Sequence, residues 1–336
     1  MKTLKQKYLR FFNKRKFSRI HRVFGRFFQD ILEVALILVT VIFVILSILY
    51  LENTLEQQTS WGKLLIRSIE KSRILGTFES ISIVTALVVY LRRGKKKSHY
   101  AAWQVIDSAQ GLEFSHARIK ALEELAKDGI SLKGLLLPKA NLEQIHLVDG
   151  NFQEVNLQGA KLLEANLKGS TFELTQLQGA NLWKANLQET FFLLAQMQKI
   201  NLSGANLSYA DLQGVNLLEA NLQQADLQGA YLLGNLQGVD FQEANLQGTT
   251  LEGAYLKDAN FQDANLRGAN LKEANLQGVS FQGANVQSVN FQNAKGLNPA
   301  QIWEADNWEM ARYSRDFLYK LGAAVRSPAA ESKTEV

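Results

Sequence analysis

The chain has 336 residues, of which 46% are hydrophobic, with four histidines and no cysteine. The lack of cysteine excludes a disulfide framework and a multi-cysteine metal site. The net charge is +5, but residues 1–97 hold 19 of the 37 basic residues and only 6 of the 32 acidic ones. The basic charge flanks two apolar runs, a pattern that sets membrane orientation, so no nucleic-acid partner is predicted.

Residues 1–30 form a basic arm that precedes a predicted transmembrane hairpin over 31–97. The first apolar run covers 31–51, close to the length that crosses the hydrocarbon of a bilayer. The second run covers 74–91 and is followed directly by five basic residues. Because basic residues flank both outer ends, the chain is predicted to be an integral membrane protein whose termini and C-terminal part are cytoplasmic. Membrane lipids are then predicted contacts of the hairpin.

Glu79 is an ionisable residue inside the second predicted span. Such residues are costly in a bilayer and are often functional, which makes Glu79 a candidate intramembrane functional residue. The alternative is that Glu79, close to the start of its span, reaches the interface between lipid and water.

A period of five residues dominates the rest of the chain. From Leu132 to Leu232 every fifth residue is large and apolar, and after one missing residue near Gly234 the period resumes from Leu236 to Phe291. This gives 33 units, most with a small or β-branched residue two positions before the large one. Neither the helical nor the strand period fits, whereas a square coil with one side per five residues places both apolar positions inside.

The segments ANLWKANLQE and ANLSGANLSYADLQG resemble the A(N/D)LXX consensus of the pentapeptide-repeat family. The flanking segments AAWQVIDSAQG and LNPAQIWEADNWEMARYSRDFLYKLG are similar to those of membrane-anchored cyanobacterial members. The resemblance implies a mainly β fold over 131–296, a right-handed quadrilateral β-helix with four pentapeptides per coil. At the usual spacing between strands, about eight coils make a rod ~40 Å long. Phenylalanines twenty residues apart then form two internal columns: Phe152, Phe172 and Phe192, and Phe241, Phe261 and Phe281.

Both ends of such a solenoid need a cover. Residues 98–130 are predicted to form juxtamembrane and N-cap helices, including an amphipathic helix over 115–127. Residues 297–322 are predicted to form a helical C-terminal cap, in which Asn298 and Pro299 begin a helix that includes Trp308. The polar tail at 323–336 is predicted to be disordered.

No pattern for catalysis or for metal or cofactor binding is present. The four histidines, His21, His99, His116 and His146, are scattered and lack metal-ligand spacing. No phosphate-binding glycine loop or nucleophile elbow occurs in the sequence. The chain is therefore predicted not to be an enzyme and to use no cofactor.

Without a catalytic or ligand-binding pattern, the remaining candidate function is recognition of a partner through the protein surface. Counting units places apolar residues at outward or corner positions on one face, two coils apart, with Asp211 and Gln213 between them. One interpretation is scattered surface residues of the ordinary kind. The other is a docking patch for a protein partner. The candidate patch consists of Phe191, Leu193, Leu194, Tyr231 and Leu233.

The sequence favours a non-enzymatic, membrane-anchored scaffold that presents a rigid rod to a protein partner, in the plasma or thylakoid membrane if the protein is cyanobacterial. An alternative is an accessory or oligomeric component of a membrane transport system. Family resemblance adds a third hypothesis, a DNA-mimic protein that binds gyrase. Residues 131–296 hold 15 acidic and 10 basic residues, which is only weakly acidic and disfavours that hypothesis.

Overall fold

The structure is a computed structural model that describes residues 94 and 96–325, with the backbone alone for 323–325. The basic arm, both predicted spans and Glu79 lie outside these residues. Within the described part, no helix combines the length and the apolar character that crossing a bilayer requires. The described residues comprise a helical cap, a repeat rod and a second cap.

The first cap covers the start of the rod. Helix α1 spans 96–108, and helix α2 spans His116–Lys127. The N-cap of α2 is Ser115, whose hydroxyl oxygen accepts a hydrogen bond from the Arg118 amide at 3.1 Å. Leu122 and Leu125 are fully buried in one core that continues into the rod. The helix predicted over 115–127 is thus present, and its apolar face closes the end of the solenoid.

The rod consists of parallel coils in which the residues just before the central positions pair with residues twenty positions later, or nineteen where the pair crosses the missing residue. Asn181 pairs with Asn201, and Asn201 pairs with Asn221. Backbone amides link the coils, as where the Leu182 amide donates to the Asn201 carbonyl oxygen at 2.7 Å. A twenty-residue coil holds four pentapeptides, as predicted. All 33 large central residues are buried, none more than 3% exposed.

A tight turn follows each five-residue side. The Val155 amide donates to the Phe152 carbonyl oxygen at 3.2 Å, and the second turn residue, Glu154, has a φ of 59°. Glycine occupies many equivalent corners, including Gly159 and Gly179, with φ of 64° and 65°. Non-glycine residues with positive φ number 20 in the described chain, mostly polar or charged. A bulky apolar side chain at such a corner is therefore an exception that needs a reason.

The missing residue near Gly234 shortens one corner. Strands β1 (Asp211–Asn216) and β2 (Tyr231–Asn235) pair in parallel, and their register shifts because Gly234 stands opposite Val215. Pairing at a spacing of twenty resumes when Asn235 pairs with Tyr255. The loss of one residue is absorbed locally, so later units keep their predicted faces.

Two stacks of phenylalanine rings fill opposite sides of the interior. Phe152, Phe172 and Phe192 stack with ring centres 4.8 and 4.9 Å apart. Phe241, Phe261 and Phe281 stack with ring centres 4.8 and 5.6 Å apart. Both predicted columns are confirmed, and the 4.8 Å separation measures the rise from one coil to the next.

The second cap begins with a short helix, α3 (Pro299–Trp303). Its N-cap is Asn298, and Asn298 and Gln301 form a reciprocal capping box. The start of the helix is as predicted, but its extension to Trp308 is wrong. The reason is that Asp306 pairs with Asn285, so the chain follows the coil for one more side.

A 3-10 helix (Trp308–Met310) and helix α4 (Arg315–Val325) complete this cap. Between them Arg312 pairs with Asn290, and the Tyr313 ring stacks on Phe291 with 5.6 Å between ring centres. Helix α4 continues to Val325, so its end lies within the tail at 323–336 that was predicted to be disordered. The cap therefore extends both the strand pairing and the aromatic column of the rod.

Candidate protein-interaction site

Side-chain amides at the position before the central residue hydrogen-bond between coils on three faces of the rod, and on the fourth face they do so at its C-terminal end, where Asn290 donates to Asn270 at 3.2 Å. The Asn201 side-chain amide donates to the Asn181 side-chain oxygen at 3.0 Å. On the other two faces, Asn265 donates to Asn245 at 3.2 Å and Asn235 donates to Asn216 at 3.3 Å. Such ladders tie successive coils together and leave a regular polar surface.

The fourth face, here called the front face, interrupts this pattern. Phe191 pairs with Asp211, and Asp211 pairs with Tyr231. Both aromatic residues are half-buried, and burial raises the pKa of Tyr231 to about 12. Gln213 pairs with Leu233, so the structure brings the candidate residues to one face, as the unit count predicted. Along the front face the paired residues run Asn151, Thr171, Phe191, Asp211, Tyr231, Thr250, Asn270 and Asn290.

The corners that border the front face are also unusual. Leu174, Leu194 and Tyr209 are the three large apolar residues among the non-glycine positions with positive φ. Each is substantially exposed, with 44%, 48% and 47% of its surface open to solvent. The left-handed conformation costs a non-glycine residue roughly 1 to 2 kcal/mol. Leu194 and Tyr209 pack over the glycine corners of the next coil, at Gly214 and Gly229, and about half of each side chain stays open to solvent. These corners therefore add exposed apolar surface beside the front face.

Sequence reasoning identified Leu194 but missed Leu174 and Tyr209. The available signal was the fifth position of the repeat, which holds glycine or a polar residue at nearly all other corners. With these two additions the surface spans four successive coils. We call it the apolar patch: Leu174, Phe191, Leu193, Leu194, Tyr209, Tyr231 and Leu233.

Asp211 lies at the centre of the apolar patch, between the rungs of Phe191 and Tyr231. Its carboxylate accepts hydrogen bonds from the Gln213 amide at 3.1 Å and from the Gln213 side chain at 3.5 Å. Burial raises the pKa of the Asp211 carboxyl, against the opposing effect of these hydrogen bonds. In the described part of the chain no Lys, Arg or His nitrogen lies within 4 Å of this carboxylate.

The raised pKa predicts how Asp211→Asn changes stability. The folded state holds the proton more tightly than the unfolded state, so the ionised carboxylate destabilises the fold at neutral pH. We expect Asp211→Asn to raise the thermal unfolding midpoint at pH 7, with the gain shrinking as the pH falls towards the ordinary value of 3.8. Asp226→Asn, at the equivalent position of the neighbouring face, is the matched control. An equal gain at pH 7 and below pH 4 would contradict the assignment.

The corner position of Leu194 predicts a substitution that leaves the fold intact. Asparagine tolerates the left-handed region better than leucine, and Leu194 is an exposed residue at a corner with a φ of 57°. We expect Leu194→Asn to change the free energy of unfolding by less than about 0.5 kcal/mol. Leu212→Asn, in the core of the same face, should lose on the order of 3 kcal/mol. Denaturant titration compares the two variants.

Among the residues that the structure describes, ionisable side chains do not cluster into a reactive site. His99 contacts Asp128 at 2.7 Å, and His146 lies 4.0 Å from Glu123. His116 is exposed at the start of α2, and His21 lies outside the described residues. Within the described chain, no group of three His, Cys, Asp or Glu residues is placed to hold a metal ion.

Comparison with known proteins agrees with this geometry. The pentapeptide repeat profile matches eight copies, at residues 136–173, 200–232, 235–272 and 259–295. No curated protein sequence matches the chain.

Solved structures of pentapeptide repeat proteins are similar to parts of the chain. HetL of Nostoc sp. strain PCC 7120, involved in heterocyst differentiation regulation, is 24% identical over 55% of this chain and 85% of its own, with a TM-score of 0.43. QnrB1, a plasmid-mediated fluoroquinolone resistance protein, is 18% identical over 57% of this chain and 96% of its own, with a TM-score of 0.40. Rfr23 of the cyanobacterium Cyanothece 51142 is 22% identical over 48% and 93%, with a TM-score of 0.22. The roles named for these proteins are not assigned to this chain.

The parallel coils, the five-residue sides and the patterned outer surface define a solenoid of the protein-interaction module type. With the profile matches within residues 136–295, the repeat region of this chain is assigned to the pentapeptide repeat family.

Proposed function

We propose that this protein is a non-enzymatic, membrane-anchored scaffold. The hairpin predicted over 31–97 contacts membrane lipids and holds the chain on the cytoplasmic side of the membrane. The repeat rod presents its front face to a protein partner. Both termini are cytoplasmic in this proposal, and the positive charge that flanks the predicted spans supports it.

The apolar patch is the observation that carries the proposal. The position before the central residue holds mostly amide side chains on the other three faces, whereas the front face carries Phe191 and Tyr231 there, two coils apart. Leucine and tyrosine at strained corners enlarge the same surface. Two independent positions of the repeat thus depart from the pattern at one place, which scattered surface residues would not do.

The test is capture of the full-length protein from mildly crosslinked native membranes, followed by mass spectrometry. We expect a specific protein partner that is lost when residues 131–295 are removed. The same partner should be lost with Phe191→Ser combined with Leu193→Ser, which leaves the buried central residues in place. Glu164→Asn, a corner change on the opposite face, is the matched control and should retain the partner.

Three results would contradict this proposal. Partners retained by the hairpin alone would move the function into the membrane, towards a transport accessory, and Glu79 would be the next residue to change. Self-crosslinks alone would favour an oligomeric membrane component. Release of the protein from membranes by alkaline carbonate would remove the predicted anchor.

A further inference from the structure

We propose that the apolar patch binds an amphipathic helix of the partner protein, which places a Lys or Arg side chain on Asp211 between two apolar side chains. This inference rests on the proposed scaffold function and adds the chemistry of the partner. Three observations support it: the surroundings of the Asp211 carboxylate, the charge of the front face and the rise between coils.

The Asp211 carboxylate determines which type of residue the partner must place at the centre of its binding face. The carboxylate lies between the rungs of two aromatic residues, and among the described residues its hydrogen bonds come from Gln213. A purely apolar partner would cover this carboxylate without compensating its charge, which is strongly unfavourable. A Lys or Arg side chain supplies the missing charge and further hydrogen bonds to the carboxylate. Apolar groups on either side of that cation would cover Phe191 and Tyr231.

The surrounding charge favours the same partner. Glu173 adds a second carboxylate beside Leu174, and it has no ion-pair partner among the described residues. Lys272 lies two coils beyond Tyr231 on the front face, and it is already paired with Glu252 at 3.1 Å and Glu273 at 2.8 Å. In a dimer formed through this face, the acidic surfaces of the two copies would repel each other. Charge complementarity thus selects a basic partner over self-association.

The rise between coils selects a helix. Rings one coil apart are separated by 4.8 Å, so Phe191, Asp211 and Tyr231 mark three sites spaced by about this distance along the rod. Successive turns of an α-helix are about 5.4 Å apart. Same-face residues of a strand are about 6.7 Å apart. A helix parallel to the rod axis therefore matches the three sites with residues i, i+4 and i+7, whereas an extended strand drifts out of register.

A displayed peptide library tests this chemistry directly. Helical peptides randomised at i, i+4 and i+7 of one stripe would be selected on phage against the full-length protein. We expect Lys or Arg at i+4 and apolar residues at i and i+7. Synthetic peptides with Arg, Leu or Glu at i+4 would then be compared by fluorescence anisotropy. The Arg peptide should bind at least tenfold more tightly than either of the other two.

Variants of the protein separate the roles of charge and apolar contact. Asp211→Asn should abolish the tenfold preference for Arg over Leu at i+4 while the peptides still bind. Leu194→Asn should weaken all peptides, and Glu164→Asn on the opposite face should weaken none. Both test variants are expected to fold, so loss of binding would not reflect unfolding.

The outcomes distinguish this inference from the scaffold itself. Selection of no peptide, or of peptides without a basic central residue, would overturn the helix proposal. If the crosslinked partner is nevertheless lost with Phe191→Ser and Leu193→Ser, the scaffold stands and the partner has another chemistry. A preference for Arg that survives Asp211→Asn would place the cation elsewhere and would also overturn the inference.

Discussion

Replacing Arg118 by Leu is expected to release the N-terminal cap while leaving the centre of the rod folded. Arg118 is 2% exposed, and its guanidinium donates to the carbonyl oxygens of Ala109, Leu112 and Glu113 at 3.0, 2.9 and 2.8 Å. These carbonyls belong to the connection between α1 and α2. Leucine would leave all three without their charged donor, at a cost of about 3 kcal/mol to the local stability of the cap.

The effect should reach the first coil through Glu113. Its carbonyl oxygen also accepts from the Asn141 amide at 2.6 Å, next to the pairing of Phe114 with Asn141. Hydrogen exchange should therefore accelerate roughly 100-fold in α2 and around Asn141. Because each coil contacts only its neighbours, amides near Phe261 should keep their protection.

Lys120→Leu provides the matched control, because it makes the same change of charge at an exposed site of the same helix. It should alter exchange by less than about 0.5 kcal/mol in equivalent free energy. Equal effects of the two substitutions would show that net charge, and not the three carbonyl contacts, stabilises the cap.

The core of this fold could be predicted from sequence because the five-residue period of large apolar residues corresponds to one buried side chain on each side of the coil. A large apolar residue every fifth position has one arrangement that buries all of them, and both phenylalanine columns followed from the same count. The missing residue near Gly234 did not disturb this, since one shortened corner absorbed it. Side-chain spacing thus determined which residues lie inside and which faces they occupy.

Backbone pairing beyond the repeats could not be predicted in the same way. Phe114, Asp306 and Arg312 pair with the edges of the terminal coils, although none of them follows the five-residue period. Their pairing satisfies open backbone groups, which any residue except proline can do. The contacts of Arg118 could not be predicted for a related reason. Its partners are backbone carbonyl oxygens of the connection between α1 and α2, and side-chain types do not show where such carbonyls lie.

The interaction site was partly visible in the sequence. Phe191 and Tyr231 could be recognised because they replace the amide residues that are most common at this position, and counting by twenty placed them on one face. Leu174 and Tyr209 were missed because an exposed leucine or tyrosine is unremarkable until its φ is known. Their positive φ shows that both residues occupy left-handed corners, where glycine or a polar residue is usual.

Gly234→Ala is expected to be among the most destabilising single-atom additions in the rod. Gly234 has a φ of 148°, a region open to glycine alone, and an added Cβ would overlap the carbonyl oxygen of Val215 and lie 3.0 Å from its nitrogen. Both contacts are with backbone that is paired in β1 and cannot move aside. We expect a loss of about 3 kcal/mol or more in the free energy of unfolding, measured by denaturant titration.

Two further variants identify the cause of that loss. Gly248→Ala places a Cβ at a corner with a φ of 66° and no atom within 4 Å, so only the backbone strain of about 1 kcal/mol remains. Inserting Ala after Gly234 restores a complete five-residue unit and an ordinary corner. In that background Gly234→Ala should cost no more than Gly248→Ala. Failure of the insertion to rescue the variant would mean that the missing residue is not the reason glycine is required at this corner, and that the tight approach to Val215 has another origin.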